Sequence, residues 1–265
     1  MRYFSKENRA LISELVRTDF KLRYQGSVLG YLWSLLRPLL LFLILYIVFV
    51  YFLKVGKGIP HYPAYLLLGI VIWNFFNEMT SMSIGSIVSR GDLIRKIGIP
   101  KWIIIFSSSL SSVINLTLNM IVVFIFMFSN SVAFSLSMLW LPLILIEVYI
   151  FGIGLAMFLS AAYVKYRDIN YIWEVIMQGG FYITPILYPI GKISNHTLQK
   201  IIMLNPMAQA LQDARYNVVT KESVTVYQIF NNGWHAAIPF VIVIAVFLFG
   251  LRYFRKTSRF FAENI

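Results

Sequence analysis

Three carboxylates, Glu78, Glu147 and Glu174, stand inside long apolar stretches of a 265-residue chain of which only 13% is charged. An ionised side chain in hydrocarbon costs about 2.5 to 3.5 kcal/mol on insertion scales, so such a group turns toward protein or water. The chemistry open to it there is that of a gate or the wall of a pathway. Glu147 is about ten residues into its apolar run, which at about 1.5 Å per residue puts it roughly 15 Å deep, near a bilayer middle. A plainer reading, a hydrogen-bonded carboxyl that fixes helix packing, stays open beside the functional one for Glu147. It is the expectation for Glu174, close to the inner end of its run.

The other ingredients of catalysis do not assemble. No GxxxxGK[ST] loop is present, so the chain lacks the phosphate cradle through which such loops support ATP hydrolysis. There is no GxSxG elbow, no carboxylate pair on a polar segment and no set of metal ligands. Cysteine is absent, which removes disulfides, thiolate sites and cysteine nucleophiles together. His61, His196 and His235 lie far apart, without a second histidine at helical spacing. Neither a catalytic residue nor a metal is expected.

Aromatic residues make up 17% of the chain. Trp33, Trp73, Trp102, Trp140, Trp173 and Trp234 fall near the ends of apolar runs, the position of an interfacial aromatic belt. Two clusters reach further in: WNFFNE at 73–78, with Phe75 and Phe76, and GFYITPILY at 180–188, with Phe181 and Tyr182. Their rings offer faces on which a sugar chain can stack, or ordinary helix packing.

The elements that must position these groups follow from composition. With 59% hydrophobic residues and a mean hydropathy of +0.73, the chain is an integral membrane protein. Continuous apolar runs, without the alternation of a barrel strand, predict an all-α fold of six transmembrane helices at 31–53, 63–86, 102–128, 137–163, 171–188 and 234–251. Together they form one transmembrane domain spanning 1–265. No cleavable leader is expected, since the first apolar run begins near residue 31 and lacks a small-residue cleavage site. Ser107, Ser108, Ser109, Ser111 and Ser112 in the third run, and Gly152, Gly154, Ala156 and Ser160 in the fourth, suit close helix approach.

The net charge of +12 is distributed by side. Of 23 Lys and Arg residues, seven lie in 1–37, four in 87–101, two in 164–170 and four in 252–265. The positive-inside rule therefore predicts cytoplasmic termini, with the 87–101 and 164–170 loops on the same side. Because this charge flanks apolar runs and forms no separate basic domain, nucleic acid binding is not expected.

Residues 1–29 contain a basic amphipathic helix, with Leu11, Ile12, Leu15, Val16, Phe20 and Leu22 on one half of the wheel and Asp19 and Arg23 breaking the pattern. Such a segment lies along an anionic membrane surface, or simply anchors topology. Arg37 and Pro38 follow near the start of the first span, where the arginine can snorkel and the proline bends the helix. In the loop SRGDLIRKIGIPKW at 89–102, Leu93, Ile94 and Ile97 are set among Asp92, Arg95 and Lys96, which implies docking to lipid or to a partner. The next inside loop carries Arg167 and Asp168 in weak echo. The fifth run is short and contains Gly179, Gly180 and Pro185; beyond it, residues 190–232 hold short amphipathic stretches split by Asn205 and Pro206. Short outer-side helices that dip back into the membrane or cap a pore mouth are the expectation.

Several stretches add up in order: RTDFKLRYQGSVLGYLWSLLRPLL at 17–40, RKIGIPKW at 95–102, KYRDI at 165–169, ITPILYPI at 183–190, LNPM at 204–207 and FAENI at 261–265. They resemble the polysaccharide-exporting ABC-2 type permeases, the membrane subunits of O-antigen, capsule and teichoic-acid exporters. Arg37 departs modestly, standing where many relatives carry an uncharged amide. The resemblance implies two copies of this chain with two separate cytoplasmic ATPase subunits, which hold the ATP and Mg, in a bacterial cytoplasmic membrane. It implies an undecaprenyl-linked glycan as cargo. Asp92, Leu93, Ile94, Arg95, Lys96, Arg167 and Asp168 become ATPase-coupling residues. Tyr31, Trp33, Arg37, Phe75, Phe76, Glu78, Glu147, Phe181 and Tyr182 become channel or gating candidates. Gly26 and Gly30 become a hinge between interfacial helix and first span. Three readings compete: an ABC-2 exporter of a drug or another lipid, a membrane transferase acting on lipid-linked sugars, and an ion-coupled carrier built on Glu147.

Overall fold

The computed structural model describes residues 6–24, 26–56, 58–231 and 233–261; residues 1–5 of the expected interfacial segment and 262–265 of the FAENI tail lie outside them. Every regular element among the described residues is helical, as the all-α expectation requires. The main helices are α1 Lys6–Tyr24, α2 Trp33–Tyr46, α3 Tyr62–Ser89, α4 Gly91–Ile97, α5 Lys101–Ser129, α6 Leu141–Lys165, α7 Ile169–Ile183, α8 His196–Met203, α9 Pro206–Val218, α10 Val226–Ile229 and α11 Ile238–Thr257. Helix α3 is the centre, packed against α2, α5, α6, α7 and α9, while α11 lies along α6 and α1 along α5.

Among the described residues four segments are long and apolar enough to cross a membrane: Gly30–Phe52, Lys101–Ser129, Leu136–Lys165 and Trp234–Phe260. The other two expected spans differ for identifiable reasons. Helix α3 has 28 residues, but Asn74, Asn77, Glu78 and Thr80 dilute its apolar character; it is the most enclosed of the long helices, and its side chains meet protein nearly all round. Helix α7 has only 15 residues, about 22 Å at 1.5 Å per residue against a hydrocarbon core of roughly 30 Å.

Local chemistry explains the first span. Pro38 sits inside α2 and has no N–H to donate to the carbonyl of Ser34 four residues back. That carbonyl accepts a hydrogen bond from Asn119 Nδ2 of α5 at 3.3 Å instead, so the proline break is used to bind α2 to its neighbour. Beyond α2 the backbone continues as a π-helix at Ile47–Phe52.

The small-residue expectation holds at α6 and α11. A Cβ on Gly154 would stand 2.6 Å from Phe247 Cα, and one on Gly250 would collide with the Gly154 carbonyl, so the helices cross at their backbones. The serines of α5 are buried, and Ser107 and Ser111 return their hydroxyls to the carbonyls of Ile104 and Ser107 at 2.9 and 3.1 Å. A hydroxyl that bonds its own helix leaves a flat surface for the next one.

Asparagine starts both α8 and α9. Asn195 Oδ1 accepts from the N–H groups of Thr197 and Leu198, and Asn205 Oδ1 from that of Met207, with Pro206 as the first residue of α9. Although α8 is largely exposed, α9 is buried along most of its length against α3, α6 and α11.

Candidate functional site

At the end that the charge pattern marks as cytoplasmic, the two expected coupling elements share one apolar cluster. Ile94 of α4 and Val164 of α6 both belong to it, with Ile87, Ile104, Ile105, Ala161 and Phe254. Leu93 packs against a second cluster of Ile12, Leu15 and Val16 of α1 with Ile99 and Ile103. Leu93 and Ile94 therefore face their own chain and not a lipid or a partner, whereas Asp92, Arg95 and Lys96 are exposed. Asp92 and Arg95 pair at 3.0 Å on that surface. Arg167 and Asp168 are exposed too, the guanidinium 5.1 Å from the Tyr163 ring centroid. The side chain of Ile97 is outside the described ones.

Helix α1 is docked to protein, not lying free: Ile12, Leu15 and Val16 are 6%, 7% and 9% exposed. Asp19, which broke the amphipathic pattern, pairs with Arg90 at the junction of α3 and α4, and Arg90 also reaches Ser107 of α5 at 3.4 Å. One arginine thus joins three helices beside α4. Gly26 and Gly30 have φ of +78° and +50°, values that suit glycine and permit the sharp turn from α1 into the first span. Tyr31, Trp33 and Arg37 are exposed just after that turn, with Tyr31 6.0 Å from Phe20 between ring centroids.

The other channel candidates are dispersed. Phe75 and Phe76 are 3% exposed in the core, Phe76 stacked on Phe151 at 5.4 Å. Phe181 meets Trp73 edge-on at 6.1 Å, leaving Tyr182 66% exposed beside it. Glu78 accepts a hydrogen bond from Asn115 Nδ2 of α5 at 2.6 Å. Glu174 is exposed on α7 and does not serve packing as expected. The aromatic-belt reading suits Trp33, Trp140 and Trp234, which are exposed, whereas Trp73 and Trp173 are buried, Trp173 donating to Thr80 Oγ1 at 3.1 Å.

Glu147 meets α9. Gln209 Nε2 lies 3.5 Å from Glu147 Oε2 and donates to Asp213 Oδ2 at 2.7 Å, so a single amide bridges two carboxylates from different helices. Burial pushes the Asp213 carboxyl up to about 6, against the opposing effect of the Gln209 hydrogen bond. The same loss of water, with the two carboxylates nearby, raises the Tyr227 phenol.

The sequence profile of the ABC-2 type transporter family matches residues 10–219. The chain belongs to this family. It is a multi-pass membrane transport subunit that works with a separate ATPase, as the resemblance implied. Two Klebsiella pneumoniae proteins named O-antigen export system permease protein RfbA are 30% and 29% identical to it over 258 residues, 96% of this chain and 94% of theirs. A Myxococcus xanthus protein of the same name is 26% identical over 204 residues, 77% of this chain and 78% of that one.

Three residues of this ABC-2 chain escaped the sequence reading: Arg215, Gln209 and Asp213. Arg215 is fully buried. Its guanidinium donates to the carbonyls of Tyr65 at 3.1 Å, Ile186 at 2.7 Å and Pro185, contacts Gln212 Oε1 at 3.3 Å and lies 3.5 Å over the Tyr65 ring. Burial pushes its pKa down, while Tyr65 and Tyr62 act in the opposite sense. This cation holds α9, α3 and the turn after α7 together with carbonyls and a π face in place of a carboxylate. The signal available in sequence was MAQALQDARY itself, where Gln209, Gln212, Asp213 and Arg215 are costly polar residues set among apolar and small ones.

Proposed function

We propose that the protein is the membrane subunit of an ATP-driven exporter that moves an undecaprenyl-linked, O-antigen-type polysaccharide out of the bacterial cytoplasm. The observation that carries this is whole-length similarity to two O-antigen export permeases, 96% of this chain at 29% and 30% identity. A shared ABC-2 segment alone would support transport without a cargo; similarity that also includes the outer segment supports the cargo class.

In this reading two copies enclose the path and two ATPase subunits bind below. The domain is a single permease unit in the inner membrane, with cytoplasmic termini and six crossings, α3 and α7 completing the four apolar spans. Helix α7 would finish its crossing through the buried turn Thr184–Leu187, with α8 to α10 as re-entrant helices at the outer mouth. Asp92, Arg95, Lys96, Arg167 and Asp168 face the ATPase, on a seat formed by Leu93 and Ile94. Tyr31, Trp33, Arg37 and Tyr182 line the path; Phe75, Phe76 and Phe181 support that wall from behind, with Glu78 and Glu147 as polar positions along it. Gly26 and Gly30 form the joint between α1 and the span. Teichoic acid and capsule are related cargoes of the same chemistry, a charged or neutral glycan on a lipid carrier.

Depletion of the protein while following lipid-linked glycan tests the proposal. Finished or growing polymer is expected to accumulate on the cytoplasmic side; unaltered export of the glycan would overturn it.

A further inference from the structure

The contact between Glu147 of α6 and Asp213 of α9 is incomplete in a specific way. Gln209 between them is fully buried, and its amide nitrogen is the one protein donor reaching either carboxyl among the described residues. Glu147 Oε1, Asp213 Oδ1 and Gln209 Oε1 are buried as well, and none of the three receives a hydrogen bond from a described protein group. Two half-buried carboxylates, each with one oxygen out of water and with one donor shared between them, form an unfavourable arrangement when both are charged, since desolvation and mutual repulsion act together.

Among the described residues no basic side chain relieves them. Arg215, two residues beyond Asp213, is engaged on the α3 side by Tyr65, Pro185 and Ile186. On the elements packed around α9, Tyr62 and Tyr65 of α3 are bonded to Leu187 and Gln212, and Tyr149 of α6 to Ser109. His196 and Lys200 of α8 are exposed, and His235 ahead of α11 stacks on Trp234. Helix α11 has no ionisable side chain before Arg252. Tyr227 of α10 is the phenol on which both carboxylates act.

We propose that Glu147 and Asp213 form a binding site for one proton, shared across Gln209, which holds α9 against α6. A proton turns one carboxyl into an O–H donor, supplies a partner to an orphaned oxygen and removes the like-charge repulsion in one step. A metal ion fits worse, because an N–H donor occupies the space between the carboxylates and repels a cation. Three facing oxygens also fall short of the about six that magnesium or calcium takes. Among the described residues no group of three His, Cys, Asp or Glu side chains is placed to hold a metal. The raised Asp213 carboxyl, at about 6, agrees in direction with the geometry. Release of the proton leaves both groups ionised and loosens the α6 side of α9, while the Arg215 side stays fixed. With α9 on the outer side, as the topology proposed above has it, the proton exchanges with the outer solution, so an acidic exterior seats α9 and an alkaline one frees it.

The test is infrared difference spectroscopy of the full-length protein reconstituted in lipid, titrated from acid to alkaline pH. A protonated-carboxyl band is expected with a midpoint at least one unit above the ordinary carboxylate value of about 4. The band is expected to be lost in the Glu147→Gln, Asp213→Asn double variant and kept, with a moved midpoint, in Asp213→Glu. Hydrogen exchange of Pro206–Val218, corrected for intrinsic rates, should quicken at least threefold in the wild type as pH rises through that midpoint and stay flat in the double variant. Absence of a carboxyl titrating above about pH 5, or the same band in the double variant, would overturn the proposal. So would removal of the band by sodium or calcium at fixed pH, which would give the site to a metal cation.

Discussion

Helix α9 carries two buried polar sites on opposite sides, and they are built on opposite principles. On the α3 side Arg215 is saturated: three carbonyls, an amide oxygen and an aromatic face receive its guanidinium. On the α6 side Glu147, Gln209 and Asp213 leave three buried oxygens without a protein donor. A saturated buried charge is costly to disturb in any direction, whereas an under-satisfied one has an alternative state that differs by a single proton. The same short helix is thus clamped along one side and, on the proposal above, adjustable along the other.

The clamp side is the place for the largest effects. Arg215→Met should leave the carbonyls of Tyr65, Pro185 and Ile186 without their donor and destabilise the permease by about 3 to 5 kcal/mol, read as a lower thermal midpoint in detergent with export lost. An unchanged midpoint would reduce Arg215 to an ordinary polar residue and dissolve the contrast. The adjustable side should show itself in pH dependence. Because the folded Asp213 carboxyl sits at about 6 against an ordinary 3.8, its protonated state favours the fold below pH 3.8, and that contribution of about 3 kcal/mol is lost as pH rises to about 6. Asp213→Asn should flatten this slope; a slope that persists assigns it elsewhere.

A milder probe returns to the clamp. A methyl group at Gly69 points into the Arg215 guanidinium, so Gly69→Ala should cost about 1 to 3 kcal/mol in thermal stability, less than loss of the arginine itself. The smallest stability change is expected at the other end of the molecule, where charge is exposed. Reversing Arg95 and Lys96 to Glu should shift stability by less than about 0.5 kcal/mol while weakening association with the ATPase subunit, measured by co-purification. Wild-type association would remove α4 from the contact. A stability loss comparable to that of Arg215→Met would instead show that both ends of the molecule are clamped alike.

Some of this was legible without coordinates. The apolar runs, the charge asymmetry and the amphipathic start each depend on local composition, and they led to a helical membrane protein with α1 and α4 as separate helices. The glycines of α6 marked a close crossing, and Gly154 meets Gly250 there. Other features depended on partners distant in sequence. Asp19 looked like a flaw in an amphipathic wheel until Arg90, 71 residues on, gave it an ion pair. Glu147 was recognisable as an expensive carboxylate, but its partner Gln209 is 62 residues away. Leu93 and Ile94 resembled a docking face because a loop sequence does not reveal that α1, α5 and α6 already cover it.

By itself, then, the sequence determined which segments must leave water and which must stay in it, because transfer free energy adds along the chain and is carried by each residue separately. Its motifs also determined the family. Only the tertiary structure decided how α3 is enclosed, why α7 is too short to cross alone, and which buried charges are satisfied. Those outcomes depend on pairs of atoms such as Arg215 Nη2 and Ile186 O at 2.7 Å, and hydrogen bonding falls off within fractions of an ångström. No periodicity in one dimension specifies a distance of that kind.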